Sequence, residues 1–303
     1  MKKFRTLAIT AVLALGLAAC ASDDPVGTDE TTGSPATATE LVIGSQQYYS
    51  NEIIAELYAQ ALEAEGYQIT REYQIGQREV YLPELESGAI DLIPEYSGNL
   101  LQYYDPEATA APADEIVAAL AEVLPAGLRP LQAAEATDQD SYTVTRATAE
   151  EYDLTTIGDL ANLPQPVQLG ANSEMETRPY GIPGLLSVYG VEAELTPIED
   201  SGSALTIKAL VDGQVQVANI YTASPAIKAN DLISLEDPEA LILPQNVVPI
   251  ASDAVDEAAA AIIDQVSAAL SMTDLIELND RSVTEQLNSA EIAADWLADK
   301  GLV

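Results

Sequence analysis

Between Ile90 and Asn99 the chain reads Ile-Asp-Leu-Ile-Pro-Glu-Tyr-Ser-Gly-Asn, an apolar strand that runs directly into a turn carrying Tyr96. A turn of that kind holds an aromatic face over a cleft, and aromatic faces attract cations. Tyrosine dominates the aromatic content: 14 stand against one phenylalanine and one tryptophan. Tyrosine suits a site that must offer an electron-rich ring together with a wet hydroxyl. Tyr142 and Tyr221 also fall at the ends of expected strands, where open α/β sheets keep their ligands. Arg178, in Glu174-Met175-Glu176-Thr177-Arg178, carries a planar fork able to clasp a carboxylate or to pair with Glu174 or Glu176.

Enzyme chemistry finds little support in these residue types. The chain has no histidine, its one cysteine is Cys20, and no Gly-x-Ser-x-Gly, phosphate loop or zinc spacing occurs. Neighbouring carboxylates such as Glu84 and Glu86, or Glu150 and Glu151, read as solvated helix faces in a chain with 49 acids. A secreted carbohydrate-active enzyme with its carboxylate pair hidden among them stays open.

The elements that would position these residues alternate between strand and helix. Leu41–Ser45 reads as a strand, and Ser50 offers an N-cap for a helix with apolar positions Ile53, Ile54, Leu57, Tyr58, Ala61 and Leu62 that ends at Gly66. A strand at Gln68–Tyr73, a helix at Val80–Ser87 and a strand at Ile90–Ile93 follow, which predicts a parallel α/β sheet. After an acidic helix at Asp114–Leu124, strands near Leu128–Leu131 and Ser141–Thr145 carry the chain into a second lobe. Val167–Ala171, Glu194–Ile198 and Val215–Ile220 read as strands there, with helices at Pro183–Tyr189 and Ser203–Asp212. Leu241–Ile250 returns to the first lobe in extended form, and helices at Ala258–Leu270, Thr273–Leu278 and Ser289–Lys300 close the chain. Two crossings make a hinge, so the ligand belongs between the lobes.

The N-terminus carries an address. Lys2, Lys3 and Arg5 precede an apolar run from Leu7 to Leu17 that is too short for a permanent membrane span, and Leu-Ala-Ala-Cys ends at Cys20. That layout is an export signal over residues 1–19 and looks like the lipobox of a bacterial lipoprotein, with Cys20 acylated as the mature N-terminus. Residues 20–40 then form a tether too poor in apolar residues to fold. Loss of the signal removes three of the 12 basic residues, leaving nine against 49 acidic ones, a formal charge of −40. Such a balance excludes nucleic acid as a partner and draws cationic ligands inward.

Residues 41–303 resemble the substrate-binding proteins of quaternary-amine ABC importers, which capture glycine betaine, choline and carnitine. The likeness is carried by Leu41–Ser45, Glu56–Leu62, Gly76, Pro83, Gly88–Gly98, Glu174–Leu185, Asn246–Pro249 and the closing Lys300-Gly301-Leu302. It implies a two-lobed type II periplasmic-binding fold of the α/β class with a ligand cleft between the lobes. Residues 41–142 and 246–303 would form lobe 1, and residues 143–245 lobe 2. It also implies a receptor that does no chemistry, needs no cofactor and docks in its closed form on an ABC transporter permease, held at the extracytoplasmic face through Cys20. The family surrounds the ligand's methyl groups with four tyrosines. Three map to Tyr96, Tyr142 and Tyr221, while the fourth falls on Gln245, with Tyr180 a possible substitute. Arg178 matches the arginine that clasps a ligand carboxylate. Gln46 replaces a lysine and Asn99 a threonine, and with Gln47, Tyr48, Asn51 and Gln245 they give an amide-rich site for neutral polar or zwitterionic ligands. These departures leave choline, carnitine or another small polar metabolite open beside glycine betaine.

Overall fold

The computed structural model describes residues 39–303. The export signal, Cys20 and nearly all of the tether lie outside the described residues.

The chain lays down β1 (Glu40–Gly44), β2 (Gln68–Glu72), β3 (Leu92–Tyr96) and β4 (Leu128–Pro130) in one lobe. It then crosses to build β5 (Tyr142–Thr145), β6 (Val167–Ala171), β7 (Ala193–Pro197), β8 (Val217–Asn219) and β9 (Leu232–Ser234), and returns as β10 (Val247–Ser252). The first sheet has the order β2-β1-β3-β10-β4 and the second β7-β6-β8-β5-β9. Helices α1 (Tyr49–Ala64), α2 (Arg78–Ser87), α3 (Ser97–Tyr104) and α4 (Ala113–Val123) belong to the first passage. The second lobe carries α5 (Arg146–Tyr152), α6 (Ile182–Tyr189), α7 (Ala204–Val211) and α8 (Ala226–Ala229). After the return come α9 (Glu257–Ala269), α10 (Met272–Thr284) and α11 (Ser289–Lys300).

The sheets are mixed, whereas strand and helix alternation predicts parallel ones. β1 pairs in parallel with β2 and β3, and β6 with β7 and β8. The two strands laid down at the crossings run the other way: β10 is antiparallel to β3 and β4, and β5 to β8 and β9. A chain entering from the opposite lobe arrives at the far end of the sheet, so its first strand is reversed. The second sheet begins at Tyr142, which pairs with Asn219.

Packing follows the apolar periodicity. All six apolar positions read for α1 are buried, and its face is covered by α9, α10 and α11. Burying each such Leu or Ile side chain is worth about 1.5–3 kcal/mol. Every residue of β3 is buried, as a central strand demands, while β2 alternates as an edge strand does. Ser50 is not the cap of α1; the helix starts two residues earlier, after Tyr48 as N-cap, and the Ser50 hydroxyl donates to Asp138 Oδ2 at 3.0 Å.

The turn expected after Ile93 is also different. β3 continues through Pro94 and Glu95, and Tyr96 is both its last residue and the N-cap of α3. Gly98 sits in the first turn of that helix, where its N–H donates to the Pro244 carbonyl at 2.9 Å. A Cβ there would lie 2.6 Å from that carbonyl oxygen and 2.7 Å from Leu243 Cβ, so only glycine lets α3 start against the returning chain.

Candidate functional site

The C-terminal ends of β1, β3, β6 and β8 point at one another across the two sheets, and a small polar cavity lies among the loops that leave them. The lobes are closed over it. Arg178 Nη2 reaches Glu79 Oε1 of α2 at 2.7 Å, Gln47 Nε2 donates to Ser201 Oγ at 3.1 Å, and the Tyr48 and Tyr221 rings meet at 5.0 Å. Gly202, at φ +71°, completes the turn that brings Ser201 there; a Cβ on it would lie 2.8 Å from the Asn219 carbonyl oxygen.

Three tyrosines form one continuous wall. Tyr48 stacks on Tyr96 with centroids 6.3 Å apart and planes 27° from parallel, and it meets Tyr221 at a tilt of 55°. Burial raises the hydroxyl pKa of all three, so each ring is a neutral phenol with its electron-rich face intact. Tyr180 lines the cavity as well. Tyr142, matched to a cage position by resemblance, is not on the wall. Its ring is fully buried in the core of the second lobe and its hydroxyl donates to the Tyr180 carbonyl at 2.6 Å. Tyr142 therefore positions Tyr180, and Tyr48 supplies the third ring of the wall.

The amides divide in the same way. Gln46 and Asn99 line the cavity, whereas Gln245 and Asn51 stand behind it. Gln245 does not occupy a ring's place on the wall: its Nε2 donates to Asn99 Oδ1 at 2.6 Å and to Asp140 Oδ2 at 3.2 Å, and its Oε1 accepts from the Asp140 N–H at 2.9 Å. Asn51 Oδ1 accepts from the Gln46 N–H at 2.8 Å, and its Nδ2 donates to the Pro94 carbonyl at 3.0 Å and the Tyr96 hydroxyl at 3.4 Å. It fixes the β1–α1 loop against β3.

Arg178 pairs with neither Glu174 nor Glu176; its partner is Glu79, 99 residues earlier, on the opposite lobe. The guanidinium also lies 5.4 Å over the Tyr103 ring. Its Nε has no partner despite burial, and the same is true of Gln46 Nε2 and Asn219 Nδ2. All three are donors on cavity-lining residues, and two buried acceptors left without partners, Gln102 Oε1 and Asn279 Oδ1, lie on residues away from it. An orphaned buried donor costs about 1–3 kcal/mol. Three such donors face one cavity.

Two carboxylates that sequence reading did not single out, Asp138 and Asp140, line the cavity from the first crossing. Asp138 accepts from the Ser50 hydroxyl and, at 3.0 Å, from the Ala223 N–H, which ties α1 to the second lobe. Burial pushes its pKa up to about 7, against the lowering effect of those two hydrogen bonds. Asn219 was also missed. The signal available for the aspartates was their spacing: residues two apart on an extended crossing segment share a face, and Tyr142 follows at the same interval.

A second arginine, Arg78, reaches the cavity but is already committed. Its Nε and Nη2 fork onto Glu95 at 2.8 and 2.7 Å, Tyr81 donates to the same carboxylate, and the Tyr96 N–H donates to Glu95 Oε2 at 2.8 Å.

Comparison with known proteins agrees with this geometry. Residues 39–299 match the family model described as the substrate-binding domain of the ABC-type glycine betaine transport system. The chain is similar to the glycine betaine-binding protein YehZ of Escherichia coli K12, at 26% identity over 280 residues, 87% of this chain and 92% of that one. It is also similar to a glycine-betaine-binding protein of Pseudomonas aeruginosa, at 26% identity over 283 residues, 88% of this chain and 90% of its relative. Among solved structures, a glycine betaine/carnitine/choline ABC transporter protein superposes with a TM-score of 0.69 at 20% identity, over 86% of this chain and 99% of the other, which shows the shared two-sheet periplasmic-binding-protein fold. The chain belongs to the family of substrate-binding domains of ABC-type glycine betaine transport systems, and is an extracytoplasmic binding protein of such an importer rather than an enzyme.

Proposed function

We propose that the ligand is a quaternary ammonium that also carries a carboxylate, with glycine betaine the simplest case and choline a weaker one. The tyrosine wall of Tyr48, Tyr96 and Tyr221 suits the methylated head, which cannot donate a hydrogen bond and is held by ring faces at about 0.5–2 kcal/mol per desolvated contact. The observation that carries the choice between ligands is the set of unpartnered donors. Gln46 comes from the first lobe, Arg178 and Asn219 from the second, and a carboxylate bonded to both sides ties the lobes together. Gln46 thus keeps a donor where the family's lysine would stand, although it lacks the charge.

The protein would be anchored through an acylated Cys20, with residues 21–40 as the tether, and would deliver its ligand to a membrane permease in the closed state. Calorimetric titration of glycine betaine, carnitine and choline into the purified protein tests the ligand: the two carboxylates bind more tightly than choline. Tighter choline binding would reverse the assignment of the donors. Cys20→Ser tests the anchor, and unchanged membrane retention of that variant would contradict it.

A further inference from the structure

The cavity holds more negative charge than its arginines answer. Arg78 is forked onto Glu95, and Arg178 holds Glu79 through Nη2 and keeps only its Nε unpartnered, the donor assigned to the ligand's carboxylate. Asp140, only 5% exposed, forms no ion pair with any described residue. Neutral groups hold it instead. Asn99 Nδ2 donates to its Oδ2 at 2.7 Å and Gln245 Nε2 to the same oxygen at 3.2 Å, while the Asp140 N–H donates back to Gln245 Oε1. The other oxygen, Oδ1, takes no hydrogen bond from any described residue. The contrast with Asp138 is direct, since both oxygens of that carboxylate are bonded. A buried anion without a counter-ion is costly to fold, and a lattice of amides that fixes one of its oxygens leaves the second available to whatever enters. The negative potential of Asp140 reaches Tyr180 and Tyr221, which places it beside the aromatic wall.

Building on the quaternary-ammonium reading, we propose that Asp140 is the counter-charge for the ligand's ammonium, and that Gln245 and Asn99 are positioning residues that hold it there. Gln245 then serves selectivity through Asp140 and not by contact with the ligand. The site distinguishes a cation from a neutral molecule of the same shape by more than ring faces alone provide.

The probe pair is choline and its neutral carbon isostere, 3,3-dimethylbutan-1-ol, titrated into the full protein. In the wild type choline binds far better than the isostere. Asp140→Asn, which keeps size and hydrogen-bonding capacity, narrows that ratio by about tenfold or more, since it removes one short-range charge pair. Asp140→Ser repeats the charge removal if the amide variant does not fold. Gln245→Met narrows the ratio by a smaller factor, whereas a merely structural loss would weaken both probes equally and leave the ratio unchanged. An unchanged ratio in both Asp140 variants overturns the counter-charge while leaving the quaternary-ammonium reading intact. A wild type that binds neither choline nor glycine betaine overturns both.

Discussion

Arg78 and Arg178 line the same cavity from opposite lobes, and their surroundings differ in every respect that decides what an arginine does. Arg78 is forked onto a carboxylate that is wholly buried, with Tyr81 closing the other side. Arg178 holds a single bond to Glu79, whose side chain is 54% exposed, and keeps an unpartnered Nε. A side chain forked onto a buried carboxylate of its own lobe is part of the scaffold. One with a donor to spare, reaching across a closed cleft, is available to a ligand and to the closure that the ligand stabilises.

The comparison breaks most visibly in stability. Arg78→Met leaves Glu95 buried without its counter-charge and should cost about 3–5 kcal/mol in a urea unfolding series. Arg178→Met should cost no more than about 1 kcal/mol in the same series, because Glu79 is returned to solvent. Equal losses would erase the distinction between the two sites. The aromatic wall gives the next largest effect. Tyr48→Ala should weaken glycine betaine by about 0.5–2 kcal/mol and Tyr48→Phe by much less, since the ring face carries the attraction. Tyr142→Phe should instead lower stability by about 1 kcal/mol through the lost bond to the Tyr180 carbonyl, with affinity changed only indirectly.

The smallest effect is that of pH. Asp138 has a folded pKa raised to about 7 by burial. The folded empty protein therefore binds a proton that the unfolded chain releases near its ordinary value of about 4, and this group's contribution to stability falls as pH rises from about 4 to about 7. A cation bound beside Asp138 favours the ionised form, so affinity for glycine betaine should rise roughly threefold to tenfold as pH climbs through 7. With no histidine in the chain, Asp138→Asn should flatten that rise. A rise that persists in the variant would assign it to another group.

Much of this arrangement was legible before any coordinates. The alternation that predicts two α/β lobes depends on local apolar patterning, and nine of the ten strands fall where that patterning is strong or where the chain must cross. The short pieces were not legible: α3 begins with Ser97-Gly98, which reads as a turn, and α5, α8 and β9 are too brief to show a period. Resemblance placed Tyr96, Tyr221, Asn99, Gln46 and Arg178, and all five line the cavity. It misplaced Tyr142 because β5 lies between β8 and β9 with cover on both faces, so alternation does not reveal which side of the sheet a residue takes. Asp138 and Asp140 were hidden by number, since 49 acids dilute any single pair. The Arg178–Glu79 bond joins residues from different lobes, and no local pattern encodes such a contact.

The most direct test pairs one chemical change with one substitution. Glycine betaine and its methyl ester share the trimethylammonium head, but the ester has no carboxylate to offer Arg178. Titrated into the wild type, glycine betaine should bind at least about tenfold better than the ester, because a charge-assisted hydrogen bond is worth about 1.5–3 kcal/mol. In Arg178→Met that preference should largely disappear, with binding of the ester nearly unchanged. A preference of the same size in both proteins would contradict the assignment of Arg178 to the ligand's carboxylate.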